Sequence, residues 1–301
     1  MGDVEDRLPE LRERIAALAV GSAAPRWYDD DLSVFATAAA TAPMGTVGRP
    51  SVALVAQGVK RSALGEEVFE YRAGQFLVVT LDLPLTSHIA AASPAEPFLA
   101  FSMPLEAGMI AQLLLETEAA PGARYDGPPL AVSTASEDLL DAVVRLLRLV
   151  GSPADRPVLA RAVRREIHWR LLSGPQGGLV RQIGLAESRI ALVARAIAWI
   201  RDHYDETLHV PDLAAGVGLS VSTLNRHFRA ATSMSPLQYQ KQLRLQRARL
   251  RLLASPGTIA AVGHEVGYDS ASQFSREYRR LFGLPPALDA QRLQGMAVVP
   301  D

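Results

Sequence analysis

Apolar residues recur at helical spacing near the start of the chain, with Leu8, Leu11, Ile15 and Leu18 on one face. They predict a short amphipathic helix within 1–20, followed by a Gly/Ala/Pro break at 21–25. From 51 to 103 the period changes. Segments 51–57, 67–71, 75–80, 87–91 and 98–103 are short and β-rich, and Gly58, Gly65, Gly74, Pro84, Pro94 and Pro97 separate them. Several short strands at that spacing predict a sandwich or small barrel. Met109, Leu113 and Leu114 mark a helix over 106–118, and a loop at 121–129 closes this first domain.

Two further helices are predicted at 137–150 and 157–172, joined by the Gly151-Ser152-Pro153 turn. Their stripes, Leu140/Val143/Leu147 and Val163/Ile167/Leu171, suit burial within the chain or against a second copy, and the pattern leaves both open. Residues 173–178 (Ser-Gly-Pro-Gln-Gly-Gly) read as a linker. Everything from 188 reads as helices, over 189–203, 211–217, 221–231, 236–254, 259–266 and 271–282. Ser188, Ser220 and Ser235 are placed to cap them, and Pro211 and Pro236 suit a first turn. The expected architecture is α+β: a β-rich domain over 1–130, a hairpin and linker over 131–183, and an all-α domain over 184–295.

Composition adds an asymmetry to this division. The 301 residues carry 31 Lys+Arg and 32 Asp+Glu, a net of −1. Within 184–295 there are 14 Lys+Arg against nine Asp+Glu, a net of +5, so the remainder is about −6 by difference. A cationic half beside an anionic one suggests that one half meets a polyanion. Cysteine is absent, which excludes disulfides, thiolate metal sites and a cysteine nucleophile. No signal peptide and no membrane span are visible in the sequence.

Residues 210–236 and 259–286 are two copies of one pattern. Val210-x-x-Leu213-Ala214 and Val217-Gly218-Leu219 correspond to Ile259-x-x-Val262-Gly263 and Val266-Gly267-Tyr268. Leu224-x-Arg226-x-Phe228 corresponds to Phe274-x-Arg276-x-Tyr278, and Pro236 to Pro286. A short helix, a glycine able to turn left-handed and a second helix make a helix-turn-helix. Leu224/Phe274 and Phe228/Tyr278 pack each second helix inward. The outward set is suited to reading base edges: Ser222, Thr223, Asn225 and Arg226 in one copy, and Ala271, Ser272, Gln273, Ser275 and Arg276 in the other. Arg229, Arg244, Arg247 and Arg279 are candidates for phosphate contact. A single such pattern is as often a plain helical bundle, and a charge run such as Lys241 to Arg251 is ordinarily a solvated face. Two copies held by one long helix weigh the other way.

Residues 188–293 resemble the DNA-binding domain of AraC/XylS-type transcriptional regulators. The most specific stretch is Gly267-Tyr268 followed by Ser272-x-Phe274-x-Arg276-x-Tyr278-Arg279-Arg280-x-Phe282-Gly283-x-Pro285-Pro286. Departures from the family pattern are Gly263 in place of Ala, Ser233 in place of Gly, and Ala287-Leu288 in place of Tyr-Arg. Residues 43–116 are similar to the cupin-like N-terminal module of one subgroup, through Ser51 to Gly58, Lys60-Arg61, Tyr71-x-Ala73-Gly74, Asp82-Leu83-Pro84 and Ala92-Ser93-x-x-x-Pro97. The resemblance implies a barrel for effector binding or dimerisation. Double-stranded DNA, a second copy of the chain, a small-molecule effector and RNA polymerase are the implied partners, and the cytoplasm, at the nucleoid, the implied location.

An enzyme is the rival class. Cupin barrels often hold a metal through several His, yet only His88 lies among the expected strands, and there is no Gly-x-Ser-x-Gly elbow or phosphate loop. The expectation is a non-enzyme with no cofactor and no metal. A third reading is an architectural DNA-binding protein without an effector. Tyr71, Phe76, His88, Phe98 and Phe101 are the candidates for an effector pocket, with ordinary core as the plainer reading of each.

Overall fold

A computed structural model describes residues 7–20, 24–29, 32–117, 125, 127–185, 188–254 and 258–297. Most of the expected break at 21–25 and of the loop at 121–129 lies outside them, as do the first six residues of the expected first helix. The chain divides into two units, 1–192 and 193–301.

The first unit contains α1 (Arg7–Ala19), strands β1 (Arg26–Tyr28), β2 (Leu32–Thr37), β3 (Met44–Gly48), β4 (Ser51–Gln57), β5 (Val59–Leu64), β6 (Glu67–Arg72), β7 (Gln75–Val79), β8 (Leu83–Ala91) and β9 (Phe98–Pro104), then α2 (Ala107–Glu116), β10 (Leu130–Thr134), α3 (Glu137–Val150), α4 (Arg156–Ser173) and α5 (Gly177–Gly184). The strands form two antiparallel sheets, ordered β1-β2-β9-β4-β7-β10 and β3-β8-β5-β6. Alternation along the larger sheet sets Val34, Phe101, Leu54 and Phe76 in one cross-strand row. That row is buried in one cluster with Leu11 and Ile15 of α1, Leu140, Val143 and Leu147 of α3, and Val163, Ile167 and Leu171 of α4. Both hairpin stripes are therefore consumed inside the unit and do not form a free face.

Segment 173–178 is not a linker. Gln176 donates to Val132 O at 3.1 Å and to Ser133 Oγ at 2.6 Å, and α5 begins at once. Helix α5 lies so close to α2 that a Cβ on Gly184 would stand 2.9 Å from the backbone nitrogen of Ala111. Within the segment itself, a Cβ on Gly177 would collide with Leu172 O, so a glycine that reads as flexibility from the sequence serves close packing. His168, fully buried in α4, accepts from the Glu106 N–H at 3.0 Å and donates through Nδ1 to Arg164 O at 2.8 Å, closing the start of α2 onto α4. Burial pushes its pKa down, against weaker upward pulls from that carbonyl and from Glu106.

The division between units falls within α6 (Arg189–Asp202). The second unit continues with α7 (Val210–Gly216), α8 (Val221–Thr232), α9 (Pro236–Ala254), α10 (Ile259–Glu265), α11 (Ala271–Phe282) and α12 (Pro286–Ala297). Among the described residues no helix is long and apolar enough to cross a membrane.

Candidate nucleic-acid interface

The two repeats share the closure of the turn and the cap of the second helix. At the end of α7, Leu219 N–H donates to Ala214 O at 2.9 Å and Gly218 N–H to Ala215 O at 3.0 Å. At the end of α10, Tyr268 N–H donates to Gly263 O at 3.0 Å and Gly267 N–H to His264 O at 2.9 Å. This paired closure requires a left-handed residue, and Gly218 and Gly267 supply it at φ of 75° and 87°. Each second helix is then capped by a serine: Ser220 Oγ accepts from Thr223 N–H at 3.2 Å, and Ser270 Oγ from Gln273 N–H at 3.3 Å. Helices α8 and α11 also end alike, in left-handed Ser233 and Gly283.

The inward residues are as the sequence predicts. Leu224, Phe228, Phe274 and Tyr278 are fully buried, with Phe228 edge-on to Tyr239 at 5.6 Å and Phe274 between Tyr268 and Tyr278 at 5.4 and 5.6 Å. Gly263, one of the departures from the family pattern, packs against Phe274. A Cβ there would lie 3.2 Å from the ring of Phe274, whereas the first repeat pairs Ala214 with the slimmer Leu224.

Of the proposed base readers, Ser222, Arg226, Ala271, Ser272, Gln273 and Arg276 are exposed, and Thr223, Asn225 and Ser275 are half-buried on the same helices. The side chains of Arg226, Arg229, Arg276 and Arg279 are all exposed and make no hydrogen bond or ion pair among the described residues. Gln273, Arg276, Glu277 and Arg280 line a cleft of about 380 Å³.

The charge run on α9 has a different fate. Arg244 was expected to reach phosphate, but its guanidinium donates to Tyr204 O at 2.6 Å, Gly267 O at 2.6 Å and Glu206 O at 2.7 Å. All three nitrogens are spent on backbone carbonyls, of which Glu206 O also accepts from Gln240 Nε2 at 2.8 Å, so that assignment is corrected to a structural one. Arg249 forks onto buried Asp289 at 2.8 and 3.1 Å, and Tyr278 donates to the same carboxylate at 2.8 Å. Arg251 pairs with Glu265, and Lys241 with Glu277 at 2.9 Å. Arg247 remains exposed, 5.8 Å from the Tyr204 ring centre. Sequence reasoning missed Asp289 and α12; Pro286 at a helical first turn was the available signal.

The pocket candidates are dispersed. Phe76 and Phe101 face the helices in the cluster described above, and Phe98 projects from the opposite face of β9, tilted against Phe35 at 6.1 Å. Tyr71 is buried on β6, its hydroxyl 3.4 Å from Ser62 Oγ, and His88 is half-buried on β8. The larger cleft described in this unit, about 550 Å³, is lined instead by Tyr28, Val150, Arg156, Ala160, Arg161 and Arg164, among others.

A two-sheet unit with a helical pair and a unit of two capped helix-turn-helix repeats define a class of bipartite regulator. Residues 30–179 match the model of the AraC-type transcriptional regulator N-terminus, and 213–291 match a helix-turn-helix domain model. The chain belongs to the AraC family. It is similar to the transcriptional activator RhaS of Pectobacterium carotovorum, 32% identical over 94 residues, 31% of this chain and 34% of that one. It is similar also to RhaS of Klebsiella pneumoniae, 28% identical over 147 residues, 48% and 50% of the two chains. A putative AraC-like transcription regulator of Streptomyces lividans is 34% identical over 103 residues, 34% and 33% of the two chains. The match thus spans about a third to a half of the length of these relatives.

Among solved structures, ToxT from Vibrio cholerae superposes with a TM-score of 0.60 at 8% identity, over 88% of this chain and 98% of that one. A second ToxT structure, with an unsaturated fatty acid bound, gives 0.57 at 10% identity over 92% and 100%. At these identities the likeness concerns the fold.

Proposed function

We propose that this chain is a cytoplasmic, sequence-specific DNA-binding transcriptional regulator, in which α8 and α11 enter successive major-groove segments and the first unit binds a small-molecule effector. The observation that carries the first part is the repeated geometry: two helix pairs with the same turn closure and a serine cap on each second helix, each presenting an exposed arginine with no hydrogen bond or ion pair among the described residues. Such side chains fork onto guanine O6 and N7 when a helix lies in the groove. The second part rests on family membership, and the fatty acid bound to ToxT makes amphipathic carboxylates the first compounds to screen. A homodimer belongs to the same proposal; with the hairpin stripes buried, exposed Val158 and Leu159 on α4 are the apolar residues offered for it.

Genome-wide mapping of sites bound by the full chain tests the core claim. Specific sites with a steep salt dependence are the expected result, and no binding to any genomic DNA at low salt refutes it. A thermal shift with no member of a metabolite library would leave the effector-independent architectural reading in its place.

A further inference from the structure

The two repeats differ at one place that the common geometry leaves unexplained. In α11 the amide of Gln273 donates to Glu277 one turn later, Nε2 to Oε1 at 3.2 Å. The carboxylate itself is anchored from two other elements, by Lys241 Nζ of α9 at 2.9 Å and by the Tyr268 hydroxyl of the turn at 2.8 Å. In the first repeat the corresponding positions hold Thr223, His227 and Leu219. Thr223 Oγ1 is turned back to its own cap, accepting from Ser220 Oγ at 2.9 Å, and Leu219 has no hydroxyl to offer.

Glu277 is an unsuitable base reader, being only 15% exposed and already accepting three donors. Its ion pair with Lys241 also cancels a charge that would repel phosphate. What the cluster offers is control of Gln273. An ionised carboxylate accepts only, so the amide must turn its NH2 group toward it. One N–H is used, and Oε1 and the other N–H stay available side by side. An acceptor beside a donor is the complement of adenine's N6–H and N7 in the major groove. Glutamine has one of the larger side-chain entropies to lose on ordering, and here much of that loss is already taken in the free protein.

We propose that Glu277, fixed by Lys241 and Tyr268, is a positioning residue that holds Gln273 as a preset adenine reader, a device present in the second repeat and absent from the first. The inference rests on the reading of the second unit as a DNA-binding domain.

The test selects duplexes from a randomised library with the full chain, then measures single-base variants of the selected site across a range of salt. Wild type should prefer adenine at one position of the half contacted by α11, by about 5- to 100-fold over other bases. Gln273→Ala should flatten that position alone. Glu277→Met should flatten the same position with an unchanged salt slope, and should add nothing in the Gln273→Ala background. Glu277→Gln, which keeps a carbonyl acceptor, should retain most of the preference, and Tyr268→Phe, which removes one of the two anchors of Glu277, should weaken the preference at that position without altering the salt slope.

A loss in Glu277→Met spread evenly over all sequences overturns the proposal, as does flattening at a position other than that of Gln273→Ala. Should Glu277→Met fail to fold, side-chain 15N relaxation of the free wild type decides. A Gln273 amide more restricted than that of exposed Gln291 supports the proposal, and one equally mobile overturns it. Wild type that binds no duplex removes the DNA-binding reading and this inference together, whereas binding without an adenine preference removes this inference alone.

Discussion

Gly263 and Phe274 form a volume-matched pair, and the match is measurable. Adding a methyl at 263 puts carbon 3.2 Å from two ring atoms of a fully buried phenylalanine, a few tenths of an ångström inside comfortable contact. Gly263→Ala gains about 1 kcal/mol of helix propensity in α10. Overpacking costs roughly 1–3 kcal/mol, so the single variant should lose about 0–2 kcal/mol. Phe274→Leu gives up ring contacts with Tyr268 and Tyr278 and leaves space, a loss of about 1.5–3 kcal/mol. Together they recreate the Ala214/Leu224 pairing of the first repeat, where Leu224 is equally buried. The double variant should therefore be more stable than the sum of the singles by about 1–2 kcal/mol. Hydrogen exchange at the α10 and α11 amides reports this unit separately from the other and supplies all four corners of the cycle. Additive effects, within about 0.5 kcal/mol, would refute the argument that Phe274 is the reason for glycine at 263.

Four further outcomes are expected. Arg226→Ala and Arg276→Ala, measured against operator variants, should each lose about 1–3 kcal/mol of discrimination at one base pair; a uniform loss with a shallower salt slope would move that arginine to the backbone. Arg244→Ala should destabilise the second unit by roughly 2–4 kcal/mol, since three carbonyls lose a charged donor, while the salt slope of DNA binding stays put; a slope reduced by about one would restore a phosphate role. Ser233→Gly should stabilise the unit by about 0.5–1 kcal/mol in thermal melts, because a left-handed φ of 59° costs serine more than glycine; a loss would show that its side chain contributes. His168 is held neutral by burial, so the unfolded chain takes up its proton first. Stability of the first unit should be full above about pH 6.5 and fall on acidification toward the lowered folded value, with that increment of slope gone in His168→Gln.

How much of this was legible in the sequence depended on whether local pattern or distant contact decided each feature. Helix 137–150 was legible to the residue from its apolar stripe and the Gly151-Ser152-Pro153 turn, and the structure adds a Ser136 cap and an acidic first turn that agree with it. The strands at 51–57 and 98–103 were legible because they are short β-rich runs bounded by Gly58 and Pro97. Strands β1, β2, β3, β5 and β10 were not: β3 carries two glycines and lies beside β8, and β5 mixes Lys60, Arg61 and Ser62 because part of it faces outward. Such strands exist through ladder bonds to neighbours far along the chain. The helix-turn-helix pairs were legible through repetition, which no single pattern match supplies. The pocket candidates were chosen by residue type, and type does not say which face of a strand a ring occupies. Phe98 and Phe101, three residues apart, are sent to opposite faces by the pleat alone.

The fate of the basic residues on α9 bears on where recognition can occur. Five cations in eleven residues look like a phosphate rail, and four of them are spent within the fold. Arg244 closes the turn before α11 through Gly267 O and the α6–α7 connection through Tyr204 O and Glu206 O. Arg249 anchors α12 through Asp289, Arg251 anchors α10 through Glu265, and Lys241 anchors α11 through Glu277. Helix α9 is thus a strut bonded to the elements on both sides of the second repeat, and its charges fix where α11 stands before any ligand arrives. The exposed cations that make no internal bond among the described residues of the paired helices are Arg226 and Arg229 on α8 and Arg276, Arg279 and Arg280 on α11. Five exposed cations thus stand on two helices of like construction, with Arg247 on α9 the one left over from the run, so sequence preference and much of the salt dependence should trace to the same faces of α8 and α11.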